Sequence, residues 1–308
     1  MTRRTPFLSS LKAYRAICGA VYGIVAVAAG AIASPSLAQA AVEGQPENGA
    51  IGFQPAASPV MEQIVWFHDS YLMWILTAIV LFVTALLLIV MVRYNRRANP
   101  KPSSVSHNTL LELVWTAVPV LILVAIALPS FRLLFFAEEV PENVDLTVKA
   151  TGYQWYWGYE YPDQEIPEYI STVVKDEDLG TDYFGNKQPR LLATDNDVVV
   201  PVGKTVRVIV TGADVIHNFA MPSMGLKMDA VPGRLNETWF KAKRVGMYYG
   251  QCSELCGIGH AYMPISIRVV EQADFDRWVK SKKEQAGIEP AGKAEVRMAT
   301  AAAPKKDN

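Results

Sequence analysis

The chain has 308 residues, with 29 Lys plus Arg against 30 Asp plus Glu, and its formal net charge of −1 excludes the chain-wide basic character of a nucleic-acid binder. That length allows one or two domains. An apolar fraction of 51% lies near the soluble range, so the distribution along the chain has to decide the class.

The N-terminus reads as a secretory signal peptide over residues 1–38. Arg3, Arg4, Lys12 and Arg15 form a basic start and residues 16–33 a small-residue apolar run. SPSLAQA then offers small-x-small cleavage sites at Ser36-Leu37-Ala38 and Ala38-Gln39-Ala40. Cys18 would leave with this peptide. A short outer segment, 39–70, is expected next, then a transmembrane helix hairpin over 71–135. Residues 72–92 (LMWILTAIVLFVTALLLIVMV) and 113–131 (LVWTAVPVLILVAIALPSF) are uncharged runs of 21 and 19 residues, and a helix needs about 20 to cross the hydrocarbon core. Pro119 and Pro129 lie in the second run, where neighbouring helices can re-satisfy the carbonyls that proline frees. Arg93, Arg96, Arg97 and Lys101 lie between the runs, and no Lys or Arg occurs over 39–92. The connecting loop is therefore expected on the cytoplasmic side and both flanks outside.

Beyond the hairpin the pattern changes to strands. VDLTVKA (144–150), TVRVIV (205–210) and ISIRVV (265–270) alternate apolar and polar residues, with turn signals at Pro201-Val202-Gly203 and Pro232-Gly233. These features predict a β-sandwich domain over 136–285. It closes with a helix N-capped by Asp274, and a mobile tail follows over 286–308.

Within that domain, QCSELCGIGHAYM (251–263) gathers two cysteines, a glutamate, a histidine and a methionine. The rest of the chain has one other cysteine, Cys18, and three other histidines, His68, His107 and His217. A Cys252–Cys256 disulfide would suit an oxidising compartment, but so short a loop constrains little and leaves His260, Met263 and His217 unexplained. Structural zinc would pair the histidines at short spacing, whereas these are 43 positions apart. Copper remains, because thiolate, imidazole and a weak thioether are the ligands of copper electron-transfer sites. A second cysteine allows two bridging thiolates and one histidine per metal ion. His217, expected in a loop after TVRVIV, supplies the missing strong ligand.

These residues carry a family resemblance. FHDSYLMW (67–74), LLELVWTAVP (110–119), ALPSFRLLF (127–135), GYQWYWGYEY (152–161), RLLATDNDVVVP (190–201), DVIHNFAMPSMGLKMDAVPGRLNET (214–238) and YYGQCSELCGIGHAYMPI (248–265) resemble subunit II of the haem-copper cytochrome c oxidases, bacterial in type. The resemblance implies an α+β membrane protein: an N-terminal two-helix transmembrane hairpin followed by a cupredoxin-like Greek-key β-sandwich. It implies a dinuclear copper centre, CuA, bridged by Cys252 and Cys256. His217 with Met263 would complete one copper, and His260 with the backbone carbonyl of Glu254 the other. The Glu254 side chain would reach a magnesium shared with subunit I. The implied partners are cytochrome c, subunits I and III and the lipid bilayer, with no nucleic acid, in a bacterial inner membrane with the C-terminal domain periplasmic.

Three further assignments follow from the resemblance. Trp155 is where an electron would arrive from cytochrome c, although aromatics crowded on a strand are more often core. Glu160, Asp195 and Asp214 match docking acids, in a region (138–214) with 15 acidic against six basic residues. Such a one-signed field raises the on-rate of a basic partner. Glu112 matches the entrance of a proton pathway into subunit I, although acids at membrane edges usually just reach for water. A quinol oxidase subunit of the same fold would lack the two cysteines, a nitrous oxide reductase would lack the hairpin, and a membrane-anchored zinc domain is separable by metal analysis.

Overall fold

The computed structural model describes residues 44–288. The expected signal peptide and cleavage sites, Cys18 and the residues beyond Ile288 lie outside the described residues.

Helix α1 spans Pro59–Arg93, with a π-helical section at Trp66–Leu72. It therefore begins inside the segment expected to be a short outer stretch. Ser58 caps it: its hydroxyl accepts from the Met61 amide (3.1 Å) and donates to the Met224 carbonyl (2.6 Å), and Pro59 occupies the first turn, where its missing N–H costs nothing. Asn95 ends the helix, its side-chain amide donating to the carbonyls of Met91 and Val92 while its oxygen accepts from the amides of Arg97 and Ala98. Helix α2, Thr109–Glu138, starts at Asn108, whose side chain accepts from Leu111 (3.1 Å).

Both helices have membrane-length apolar stretches in which no residue is buried by the protein. Leu81, Phe82, Leu121 and Leu128 are among the exposed side chains. A helix apolar on every side has to find its apolar surroundings in lipid or partner helices.

Pro129 cannot donate to the Ala125 carbonyl four residues back. The Tyr71 hydroxyl, projecting from the π-helical section of α1, donates to that carbonyl instead (2.9 Å). We predict that Tyr71→Phe loosens the hairpin by about 1 kcal/mol, the usual worth of an interhelical hydrogen bond in a bilayer. Thermal unfolding in detergent checks this. An unchanged midpoint would show that Ala125 finds another donor.

Ten strands form two five-stranded sheets among the described residues. β1 is Leu146–Tyr153, β2 Tyr156–Tyr161, β3 Ile166–Ser171, β4 Val198–Pro201, β5 Thr205–Gly212, β6 His217–Met221, β7 Leu226–Ala230, β8 Asn236–Lys241, β9 Gly246–Cys252 and β10 Pro264–Val270. One sheet runs β3-β2-β1-β5-β8 and the other β4-β10-β9-β6-β7. β1 with β5 and β10 with β4 pair in parallel; the other neighbours are antiparallel. The three strands read from sequence alternation are β1, β5 and β10, displaced by up to three residues. Val206, Val208 and Val210 of β5 point inward, as alternation requires. Trp157, Tyr159, Tyr161, Phe219 and Phe240 fill the space between the sheets.

The closing helix α3 is Gln272–Gln285, so Asp274 is not its cap. Glu271 takes the cap position without a side-chain bond, its carbonyl accepting from the amides of Asp274 and Phe275. Asp274 lies in the first turn, where a carboxylate faces the positive helix end and here also pairs with Arg277.

Candidate metal centre

His217 opens strand β6 and is fully buried, so it sits in a strand rather than the expected loop. Phe219 of β6 lies opposite Cys252, the last residue of β9, which brings the two ligand-bearing segments side by side. Residues 253–263 then connect β9 to its antiparallel neighbour β10. The ends of this connection are tied by the Cys252 amide donating to the Met263 carbonyl (3.4 Å).

Inside this frame the donor atoms converge. The sulfurs of Cys252 and Cys256 are 3.9 Å apart and both thiols are free; a disulfide would hold them at about 2.05 Å. Cys256 Sγ lies 3.5 Å from His260 Nδ1 and 3.5 Å from Met263 Sδ, and Cys252 Sγ lies 3.4 Å from the Glu254 carbonyl oxygen. The ligand atoms of His217, Cys252 and Cys256 all fall within 4.8 Å of one another. His217 Nδ1 is buried with no hydrogen-bond partner, while Nε2 is held by Asp214 (2.8 Å). A nitrogen desolvated and left unpaired costs free energy; a metal ion would satisfy it, with the opposite nitrogen fixed by a carboxylate as metal-binding histidines commonly are.

Charge favours a cation as well. Burial raises the Cys252 thiol, but neighbouring His217 and the backbone of Asn218 and Glu254 outweigh it and bring it below the ordinary thiol value. Burial and the adjacent Cys252 push Cys256 the other way. Two thiolates 3.9 Å apart would repel each other, and a metal ion bound between them would offset that repulsion. Burial would also raise Asp214, yet the bonds from His217 and from the amides of Val215 and Gln154 hold it below the usual carboxylate range.

Trp155 rests against this loop. Its indole N–H donates to the Cys256 carbonyl (3.1 Å), and the Gln154 side-chain amide donates to the same oxygen (2.8 Å). Gly259 admits the ring: a Cβ there would lie 2.3 Å from the indole. Gly152 likewise admits His217, whose imidazole would be 2.8 Å from an added Cβ. Sequence reasoning missed Gln154 and these glycines. The glycines flanking Cys256 and His260 were the available signal, because residues that let a backbone or ring come close tend to be glycine.

The other expected residues lie elsewhere. Glu160 pairs with Lys149 (2.9 Å), and Asp195 accepts from the amide and hydroxyl of Thr172. Asp214, expected at the docking face, has both oxygens engaged by His217, Val215 and Gln154. Glu112 is exposed in the first turn of α2, its carbonyl accepting from Thr116. The Glu254 side chain is exposed, beside the outward-facing Leu255 and Ile258.

Two membrane-length helices joined to a β-sandwich that gathers thiols, imidazoles and a thioether at one end define a membrane-anchored domain with a candidate soft-metal centre. Two family models match the chain: "Cytochrome C oxidase subunit II, transmembrane domain" over residues 46–133 and "Cytochrome C oxidase subunit II, periplasmic domain" over residues 146–270. A probable cytochrome c oxidase subunit 2 of Rickettsia bellii is 55% identical over 77% of this chain and 85% of its own length. The cytochrome c oxidase subunit 2 of Cereibacter sphaeroides is 45% identical over 89% of this chain and 94% of its own. Among solved structures, the periplasmic domain of subunit II of the cytochrome oxidase of Bradyrhizobium japonicum is 58% identical, covering 48% of this chain and 99% of that one, with a TM-score of 0.43. The chain belongs to the cytochrome c oxidase subunit II family.

Proposed function

We propose that this chain is the electron-accepting subunit of a cytochrome c oxidase. It would take electrons from cytochrome c and pass them to the haem of subunit I, where oxygen is reduced to water with proton translocation. The observation that carries this reading is the grouping of two free thiols with buried His217, whose Nδ1 is unpaired, while His260 Nδ1 and Met263 Sδ each lie 3.5 Å from Cys256 Sγ. Cys252 and Cys256 would bridge a copper pair, with His217 and Met263 on one ion and His260 and the Glu254 carbonyl on the other. When bound, such a pair stores one electron and releases it with little change in geometry. The strand-held ligands resist what change remains, and Asp214 keeps His217 in the required tautomer and orientation.

Trp155 joins the domain surface to the backbone of a ligand through its bond to Cys256. Exposed Leu255 and Ile258 give that loop an apolar contact surface of the kind partners cover. Glu160 and Asp195 add to the negative field that attracts a basic cytochrome, and the exposed Glu254 carboxylate is available to a magnesium shared with subunit I. Subunits I and III would pack along the helices. The domain would face the periplasm of a bacterial inner membrane, after cleavage of residues 1–38, with the Arg93–Lys101 loop cytoplasmic.

Metal analysis of the full chain, with near-infrared absorption and electron paramagnetic resonance, tests the centre. A copper pair sharing one unpaired electron is expected; zinc in its place overturns the reading. Glu112 is proposed to feed protons from the cytoplasmic side. Glu112→Gln should then slow steady-state oxygen uptake while leaving copper reduction by cytochrome c unchanged. Uptake at the wild-type rate would leave Glu112 as a favourable first-turn acid and nothing more.

A further inference from the structure

Trp155 is not the only aromatic bound to the metal loop. Trp157, two residues along and fully buried, donates its indole N–H to the Met263 carbonyl (3.2 Å), and its ring centroid lies 6.1 Å from that of His217. It begins a series on the inner face of β2. Trp157, Tyr159 and Tyr161 occupy alternate positions and are all fully buried; such residues project from the same side of a strand about 6.6 Å apart. Tyr161 then meets Trp278 of α3 at 5.0 Å between centroids, and Trp278 reaches a shallow surface groove. The aromatic path thus runs from a candidate ligand, through the sandwich core, to the solvent on α3.

Bulk apolar packing does not explain the choice of residues. Leucine or phenylalanine would fill the space without desolvating polar atoms, yet the Tyr159 hydroxyl is buried with no hydrogen-bond partner. Among aromatic side chains, indoles and phenols surrender an electron most readily. Resting on the copper reading above, we propose that Trp157, Tyr159, Tyr161 and Trp278 form a ladder that drains oxidising equivalents from the metal loop to the protein surface. The route matters when a peroxide meets the reduced centre. Hydrogen peroxide takes two electrons and two protons to become two waters. A copper pair held by Cys252, Cys256, His217, His260 and Met263 would supply only the first electron; the second would otherwise come from the cysteine thiolates, and solvent would supply the protons. Along the ladder, Trp157 gives one electron to the loop and Trp278 gives one to Trp157. A one-electron reductant of the ascorbate class in the solvent then restores Trp278. Only the peroxide O–O bond breaks, its two oxygens leaving as water with the two electrons and two solvent protons, and Trp157 keeps its N–H on the Met263 carbonyl. The tyrosines bridge rather than hold the charge. The Tyr161 hydroxyl is engaged on both sides by the Val199 carbonyl and amide, so its proton has no base to go to. Lys282 stands 4.4 Å over the alternative ring, Tyr169, and opposes positive charge there.

The test uses the full chain loaded with copper, reduced, and exposed to hydrogen peroxide without added reductant. Oxidised Trp278 and oxidised Cys252 and Cys256 are then measured by peptide mass mapping, alongside the surviving copper spectrum. Trp157→Phe should lower Trp278 oxidation several-fold and raise cysteine oxidation and copper loss. Trp278→Phe, a half-buried change remote from the ligands, should start with the wild-type spectrum and hold copper as well as wild type without peroxide, yet lose it faster in peroxide. Metal-free chain should show little Trp278 oxidation. Trp278 oxidation that is independent of copper, or unaltered by Trp157→Phe, overturns the ladder while leaving the copper reading intact. A wild-type chain with no copper-pair spectrum at the outset overturns both.

Discussion

Cys252→Ser and Cys256→Ser should each abolish the spectrum of a shared copper pair. A serine hydroxyl stays protonated near neutral pH and is a hard oxygen donor, so it cannot replace a soft thiolate that bridges two ions. The two sites differ in surroundings: Cys252 is held at the end of β9, while Cys256 sits in the loop against His260 and Met263. A single-copper species remaining on the other thiolate is the most that either variant should keep. Met263→Leu, which removes only a weak thioether donor, should change the spectrum without releasing the metal. Electron paramagnetic resonance on the three variants separates the cases. Either cysteine variant retaining the hyperfine pattern of an electron shared by two copper nuclei would rule out bridging by both thiolates.

Trp155→Phe should leave the copper spectrum and the affinity for cytochrome c nearly intact and slow reduction of the centre within the bound complex. Phenylalanine keeps an aromatic ring but has no N–H to offer the Cys256 carbonyl, now 3.1 Å away. If losing that contact raises the barrier by about 1.4 kcal/mol, the upper part of what such a bond is worth, the rate falls on the order of tenfold. Neutralising Glu160 and Asp195 should do the reverse, weakening binding most at low ionic strength, because exposed charges are screened beyond roughly 10 Å at 0.1 M salt. Stopped-flow reduction across a salt series measures both effects. A Trp155→Phe variant altered only in apparent affinity would contradict this division of roles. Asp214→Asn should behave differently from the other two acids, disturbing the metal spectrum, since its oxygens hold His217 and the Val215 and Gln154 amides.

Asp214 also shows where reading the sequence stopped. Its charge was legible, but the partner of a carboxylate is set by three-dimensional contacts, and β6 turns His217 back onto it three residues later. The candidate ligands of one loop were legible as a cluster because Cys252, Glu254, Cys256, His260 and Met263 lie within a dozen positions. His217, 35 positions before Cys252, was legible as a candidate ligand by chemistry but not as a strand residue, since the apolar alternation that marks a half-buried strand is lost where β6 is buried on both faces. The two spans were plain from uncharged length alone. The start of α1 at Pro59 was not: Glu62, His68 and Asp69 interrupt its apolar run, and only the Ser58-Pro59 pair signals a cap. Within the aromatic run over 152–161, Trp157, Tyr159 and Tyr161 of β2 are buried in the core, while Trp155, just before β2, packs against the core and bonds the Cys256 carbonyl.

The Ser58 cap bears on how the domain moves. Strand β6 begins at His217 and runs on into the turn holding Met224, whose carbonyl receives the Ser58 hydroxyl at the head of α1. The Ala57 amide bonds the Ser223 carbonyl, the Lys243 amide bonds the Ala57 carbonyl, and Arg244 bonds the Ala56 carbonyl. The head of α1 is thus bolted to the sandwich through two backbone bonds and two side-chain bonds rather than strung from it by a linker. Such a domain is a fixed post and not a swinging arm. Its internal electron-transfer rate should be indifferent to solvent viscosity, whereas a glycine insertion between Met224 and Leu226 should introduce a viscosity dependence where none existed.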